Sequence, residues 1–163
     1  NSVFSFINYL STKNYDISII CLGKCEYKGQ FKKKLKYFEL PKNSLFSSFF
    51  KILSIIKKIS KNSSKTIIYS NHHYANIYAI IIRLILKSTK VICIERTCIY
   101  ELSKYYSFVD YIKKNIIKCL VKILYKKADR IISNTKYTKR EIYKFSKKNT
   151  FQVYPPSLKK VLN

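Results

Sequence analysis

Three short clusters in this chain gather side chains able to bind or polarise a ligand. They are Ser70-Asn71-His72-His73, Glu95-Arg96-Thr97 and Ser133-Asn134-Thr135. Asn71 and His72 carry amide and imidazole groups that hydrogen-bond to hydroxyls or phosphates. Arg96 carries a rigid fork of donors suited to a phosphate or to negative charge developing in a reaction. Glu95 and Arg96 end an apolar run, and charges there need partners. They could pair with each other or with Glu101, or Arg96 could face a ligand. His72 and Asn71 have structural alternatives, as the start and the cap of a helix.

Each cluster follows a β-branched run: Lys65–Ser70 (KTIIYS), Lys90–Glu95 (KVICIE) and Asp129–Ser133 (DRIIS). Such runs read as buried strands. Asp16–Leu22, Leu35–Leu40 and Thr150–Tyr154 read as three more. Helices are expected over Ser2–Lys13, Ser44–Ser60 (capped by Asn43 or Ser44), His73–Lys87, Phe108–Lys127 and Lys136–Ser146, with a helical turn near Tyr100–Lys104. Gly23–Lys34 reads as a basic loop. Strands alternating with helices specify βαβ units: an α/β chain with a Rossmann-like parallel sheet and helices on both faces. In such sheets ligands bind beyond the carboxyl ends of the strands. The cleft candidates are therefore Asn71, His72, Glu95, Arg96, Ser133 and Asn134. None is singled out as catalytic.

The 163 residues carry a formal charge of +25, with 33 Lys and Arg against 8 Asp and Glu. Only Arg83, Arg96, Arg130 and Arg140 are arginines. Nucleic-acid readers lean on Arg for bidentate contacts, so no nucleic-acid partner is expected. A lysine-rich surface suits anionic lipid, although an AT-rich coding sequence would also enrich Lys. Lys114, Lys118, Lys122 and Lys126 repeat every four residues, a basic stripe along one helix. These are the membrane-facing candidates; the alternative is a solvated helix face. The 5 Cys show no zinc-site spacing, so no metal is expected. With Gly23 and Gly29 as the only glycines, neither a dinucleotide fingerprint nor a P-loop exists. No apolar run is long enough to span a bilayer; Arg83 interrupts the longest.

The run ERTCIYEL, LYKKADRIISNTKYTKREIYKF and FQVYPP, in that order, resembles the N-terminal lobe of glycosyltransferase family 4 enzymes. Glu95-Arg96, Tyr125–Asp129, Ile131–Thr135 and Val153–Pro156 fill the family's motif slots. Two positions depart from it: Arg96 stands where many members carry His, and Pro155 where Asn is common. The resemblance implies one lobe of a two-lobed GT-B enzyme, with residues 1–154 as the acceptor-side lobe lacking its first strand and 155–163 opening the interlobe linker. The donor-binding lobe is expected to be absent and the isolated chain inactive. The implied enzyme retains anomeric configuration, needs no metal or cofactor, and moves a sugar from a nucleotide-sugar donor to a lipid-linked or polysaccharide acceptor. It would build cell-surface glycans at the cytoplasmic face of the cell membrane. A non-catalytic basic module binding membrane or nucleic acid is the alternative.

Overall fold

The structure, a computed structural model, describes residues 2–13, 15–25, 29, 35–41 and 45–154. Every expected helix and strand is present, with no end moved by more than three residues. The chain divides into two compact units, residues 1–58 and 59–163.

The first unit contains helix α1 (Ser2–Ser11), strands β1 (Ser18–Leu22) and β2 (Lys36–Leu40), and most of helix α2 (Leu45–Lys61). β1 and β2 pair in parallel, with Ile19 opposite Tyr37 and Cys21 opposite Glu39. The expected cap at Asn43 or Ser44 and most of the basic loop lie outside the described residues.

The second unit is a four-stranded parallel sheet in the order β3-β4-β5-β6. Its strands are β3 (Thr66–Asn71), β4 (Thr89–Glu95), β5 (Arg130–Ser133) and β6 (Phe151–Gln152). Helices α3 (His73–Ile85), α4 (Phe108–Leu124) and α5 (Lys136–Ser146) connect them. Strands added in one direction by right-handed crossovers place their connecting helices on a single face, and α4 indeed packs against both α3 and α5. The described strands thus form two parallel sheets, of two and four strands.

The core of this unit lies between its sheet and helices: Ile80, Val91, Cys93, Val121, Tyr125, Ile131 and Ile142 are all fully buried. Burying one such aliphatic side chain contributes about 1.5–3 kcal/mol. Ser107 caps α4 by accepting from the Asp110 amide at 3.1 Å, and Thr135 caps α5 from the Thr138 amide at 3.0 Å. α4 stops at Leu124, earlier than expected, and tightens into a 3-10 turn over Tyr125–Lys127. Tyr125 keeps helical backbone angles and donates its amide to the Val121 carbonyl, so its ring lies on the same buried face as Ile117 and Val121.

Candidate functional site at the strand ends

The parallel register brings the three polar clusters to one edge. Asn71 lies opposite Ile94, and Ser133 opposite both Glu95 and Gln152. Alternation along β4 then decides where its last side chain goes. Thr89, Val91, Cys93 and Glu95 all turn to the buried side.

Glu95 therefore points under the helices, with none of its surface exposed. Its carboxylate receives the Tyr125 hydroxyl and the Asn76 side-chain amide, and its Oε2 lies 3.1 Å from His73 Nδ1. Asn76 accepts in turn from the Ser70 hydroxyl at 2.7 Å. The expected partner Arg96 is not the one Glu95 uses. Successive residues at a strand end point to opposite faces, and the first turn of α3 delivers His73 instead. Burial pulls the His73 imidazole down, but the Glu95 contacts, the Cys98 backbone and the Glu101 charge outweigh it, so its pKa is raised. Tyr125 is held well above its ordinary value by burial and then by the Glu95 charge, so it remains a neutral donor. Burial pushes the neighbouring Cys93 thiol up to about 12, leaving it an inert core residue.

The other candidates form an outer layer. His72 is exposed and has φ 71, ψ 151, a region that side chains other than glycine's rarely tolerate and that costs about 1–3 kcal/mol. Its Nδ1 lies 3.3 Å from the Thr97 hydroxyl. Arg96 is half-buried and forms no ion pair among the described residues. Asn134 donates its amide N–H to the Glu95 carbonyl at 3.3 Å and its side chain to the Arg96 carbonyl at 3.5 Å. Asn71 Oδ1, Ser133 Oγ and Asn134 Oδ1 are buried with no hydrogen-bond partner in the protein. Unpaired buried polar atoms are costly, and these three belong to residues at or just past the carboxyl ends of β3 and β5.

The four lysines do not form one continuous stripe. Lys114 bonds to Asp110 at 2.8 Å and to the Lys104 carbonyl at 2.6 Å, which holds the Asp110 carboxyl below its ordinary value. Lys118 bonds to the Tyr105 hydroxyl at 2.9 Å. The segment before α4 folds back along that helix and captures both. Lys122 and Lys126 remain exposed, Lys126 on the 3-10 turn. α4 instead presents an open apolar stripe of Val109, Ile112, Ile116 and Ile123, which are 44 to 74% exposed.

His73, Asn76 and Tyr125 carry the buried network, and none of them was among the expected site residues. The HHYANI segment held the signal: His73 and Asn76 are three apart at the start of an apolar helix, so both face inward. Two further acids accept backbone amides. Asp129 accepts from the Val91 amide at 2.8 Å and lies 3.3 Å from Arg83 Nε. Glu141 accepts from the amides of Ile99 and Tyr100, both at 2.8 Å, and so fixes the 3-10 turn Ile99–Ser103. Among the described residues no cluster of three or more His, Cys, Asp or Glu is placed to hold a metal ion, and no helix is long and apolar enough to cross a membrane.

Neither the curated proteins nor the solved structures contain a match to this chain. The profile of Glycosyltransferase Family 4 does match, over residues 1–156. That span includes both parallel sheets, the Glu95-Arg96 step and the Tyr125–Asp129 turn. The fold is that of a Rossmann-like α/β lobe, and the chain belongs to glycosyltransferase family 4.

Proposed function

We propose that this chain is the acceptor-side lobe of a retaining hexosyltransferase. It works on a nucleotide-sugar donor and a lipid-linked or polysaccharide acceptor, in cell-surface glycan synthesis. The observation that carries this reading is the shared edge, where Asn71, Ser133 and Asn134 hold unpaired polar atoms beside an uncommitted Arg96. A sugar's hydroxyls satisfy such atoms in pairs, accepting and donating at once. The role assigned to Arg96 is to steady negative charge leaving with the donor's phosphate. Glu95 acts indirectly, anchoring the edge through Tyr125 and His73. No metal ion or cofactor is invoked beyond the donor itself.

The same reading places the protein peripherally at the cytoplasmic face of the cell membrane. What supports this is the open stripe of α4, with Tyr106 and Phe108 at 87% and 75% exposure near its start and a net charge of +25. An apolar helix face within a basic surface is the pattern of a helix lying in the membrane interface.

The test is sugar transfer from nucleotide sugars to endogenous acceptors in membranes from cells that make the protein. Arg96→Ala should cut transfer at least about a hundredfold, the scale of one transition-state donor. Asn134→Ala should raise the acceptor concentration needed while sparing the maximal rate. Full transfer by the Arg96→Ala protein would sink the role given to Arg96, and no transfer by the unaltered chain supplied together with a donor-binding lobe would sink the reading.

A further inference from the structure

Two of the 5 cysteines meet at the carboxyl end of β1. Cys21 lies opposite Glu39 across the β1–β2 pair, so the two side chains share one face of that sheet. Beyond β1 the chain turns at Gly23, whose φ of 112 is a region that residues with a side chain rarely adopt. The Gly23 amide donates to the Leu40 carbonyl at 2.7 Å, and the Cys25 amide donates to Glu39 Oε1 at 3.1 Å. The turn thus returns Cys25 to the carboxylate that Cys21 faces. There the thiols of Cys21 and Cys25 hydrogen-bond to each other.

The other cysteines have different surroundings. Cys93 accepts from the Ser70 hydroxyl at 3.8 Å within the core, Cys98 bonds to Thr138, and Cys119 is exposed on α4. Cys21 and Cys25 are both free and half-buried, within reach of a small reagent. Burial, then the bond to Cys25, push the Cys21 thiol up to about 11. Cys21 therefore keeps its proton as the donor of the pair, and Cys25 is the sulfur that reacts first.

We infer that Cys21 and Cys25 are a reversible dithiol–disulfide site, oxidised by a small disulfide such as glutathione disulfide. The Cys25 thiolate attacks one sulfur of glutathione disulfide, and a glutathione thiolate leaves. Cys21 gives its proton to that thiolate, attacks the Cys25 sulfur of the mixed disulfide and expels the second glutathione. The two protein thiols lose two electrons and two protons in all, and glutathione disulfide takes them up as two thiols.

Closure fixes the turn that leaves β1 at its carboxyl end, the end at which ligands bind in parallel sheets. Reduced glutathione reopens it by the reverse steps. In reducing compartments disulfides are characteristically of this transient kind. The chemistry is independent of sugar transfer.

The test equilibrates the chain with mixtures of reduced and oxidised glutathione, quenches in acid, alkylates the remaining thiols and digests with trypsin. Lys24 lies between the two cysteines, so cleavage there leaves two peptides that stay joined only where the disulfide has formed. Mass spectrometry should find them joined. The equilibrium constant for closure should be about tenfold larger in the folded chain than in urea, because the fold already holds the two sulfurs together. Glu39→Ala, a change at an exposed residue, releases the Cys25 amide and should lower that ratio about threefold, the scale of one hydrogen bond. A ratio of one or less, a ratio indifferent to Glu39→Ala, or glutathione retained on Cys25 without linkage to Cys21 would each overturn the site.

Discussion

The phenolic hydroxyl of Tyr125 donates to the carboxylate of Glu95, 30 residues earlier in the chain, and neither residue exposes any surface. This bond ties the end of α4 to the end of β4. A buried carboxylate is tolerated only while donors surround it. Tyr125→Phe keeps the ring and removes one donor, so the cost is that of a bond to a charged group, about 1.5–3 kcal/mol. Urea titration should show that loss with an unchanged slope. A loss below about 0.5 kcal/mol would mean that His73 and Asn76 alone suffice.

His73 predicts a pH dependence with a definite sign. Its pKa is raised in the folded chain, because the Glu95 contacts overcome burial. A raised pKa means that the proton binds more tightly when folded. The stabilisation is full below the unfolded value of 6.5 and is lost as pH rises through the folded value. His73→Gln removes the titration. The stability gap between the unaltered chain and this variant should therefore be widest below 6.5 and shrink as pH rises above it. A gap that widens with pH would reverse the assignment and mean that a neutral imidazole is the stabilising form.

The strands and helices were legible because β-branched runs and helical apolar spacing are local signals. The shared edge was legible too, because strands alternating with helices must run parallel. The direction of Glu95 was not read. Alternation from Val91 and Cys93 would have turned it inward, but its charge made it look like an edge residue. Tyr125 stands four residues after Val121, on the buried face of α4, but helical spacing alone does not report that its hydroxyl meets Glu95. The lysine spacing was real, yet spacing cannot report that Asp110, Tyr105 and the Lys104 carbonyl capture Lys114 and Lys118.

Asp129 gives a prediction of opposite sign. Burial raises its carboxyl, but the Val91 amide and Arg83 prevail and hold it below 3.8. A depressed carboxyl contributes above the unfolded value, and the contribution disappears as pH falls through the folded one. Asp129→Asn keeps an acceptor for the Val91 amide and loses the charge. It should cost about 1 kcal/mol at neutral pH, and the deficit should close in acid, below 3.8. Thermal melts across pH 3 to 7 would check this, and a deficit constant across that range would show that the charge is not what matters.

The open stripe on α4 allows charge and apolar contact to be told apart as bases of the proposed membrane binding. Ile112 and Ile116 are 44% and 55% exposed, so replacing both with Ser should leave the fold intact. If the stripe enters the lipid interface, the two changes together remove about 2 kcal/mol of apolar burial, or roughly thirtyfold in partitioning. Lys122→Ala with Lys126→Ala tests the other contribution, worth about 1 kcal/mol per lysine near anionic lipid. Sedimentation with vesicles containing phosphatidylglycerol should show both losses at low salt. At high salt the lysine effect should shrink by screening, while the isoleucine effect should persist. Binding that disappears with salt and ignores Ile112 and Ile116 would mean that the protein meets the membrane through charge alone.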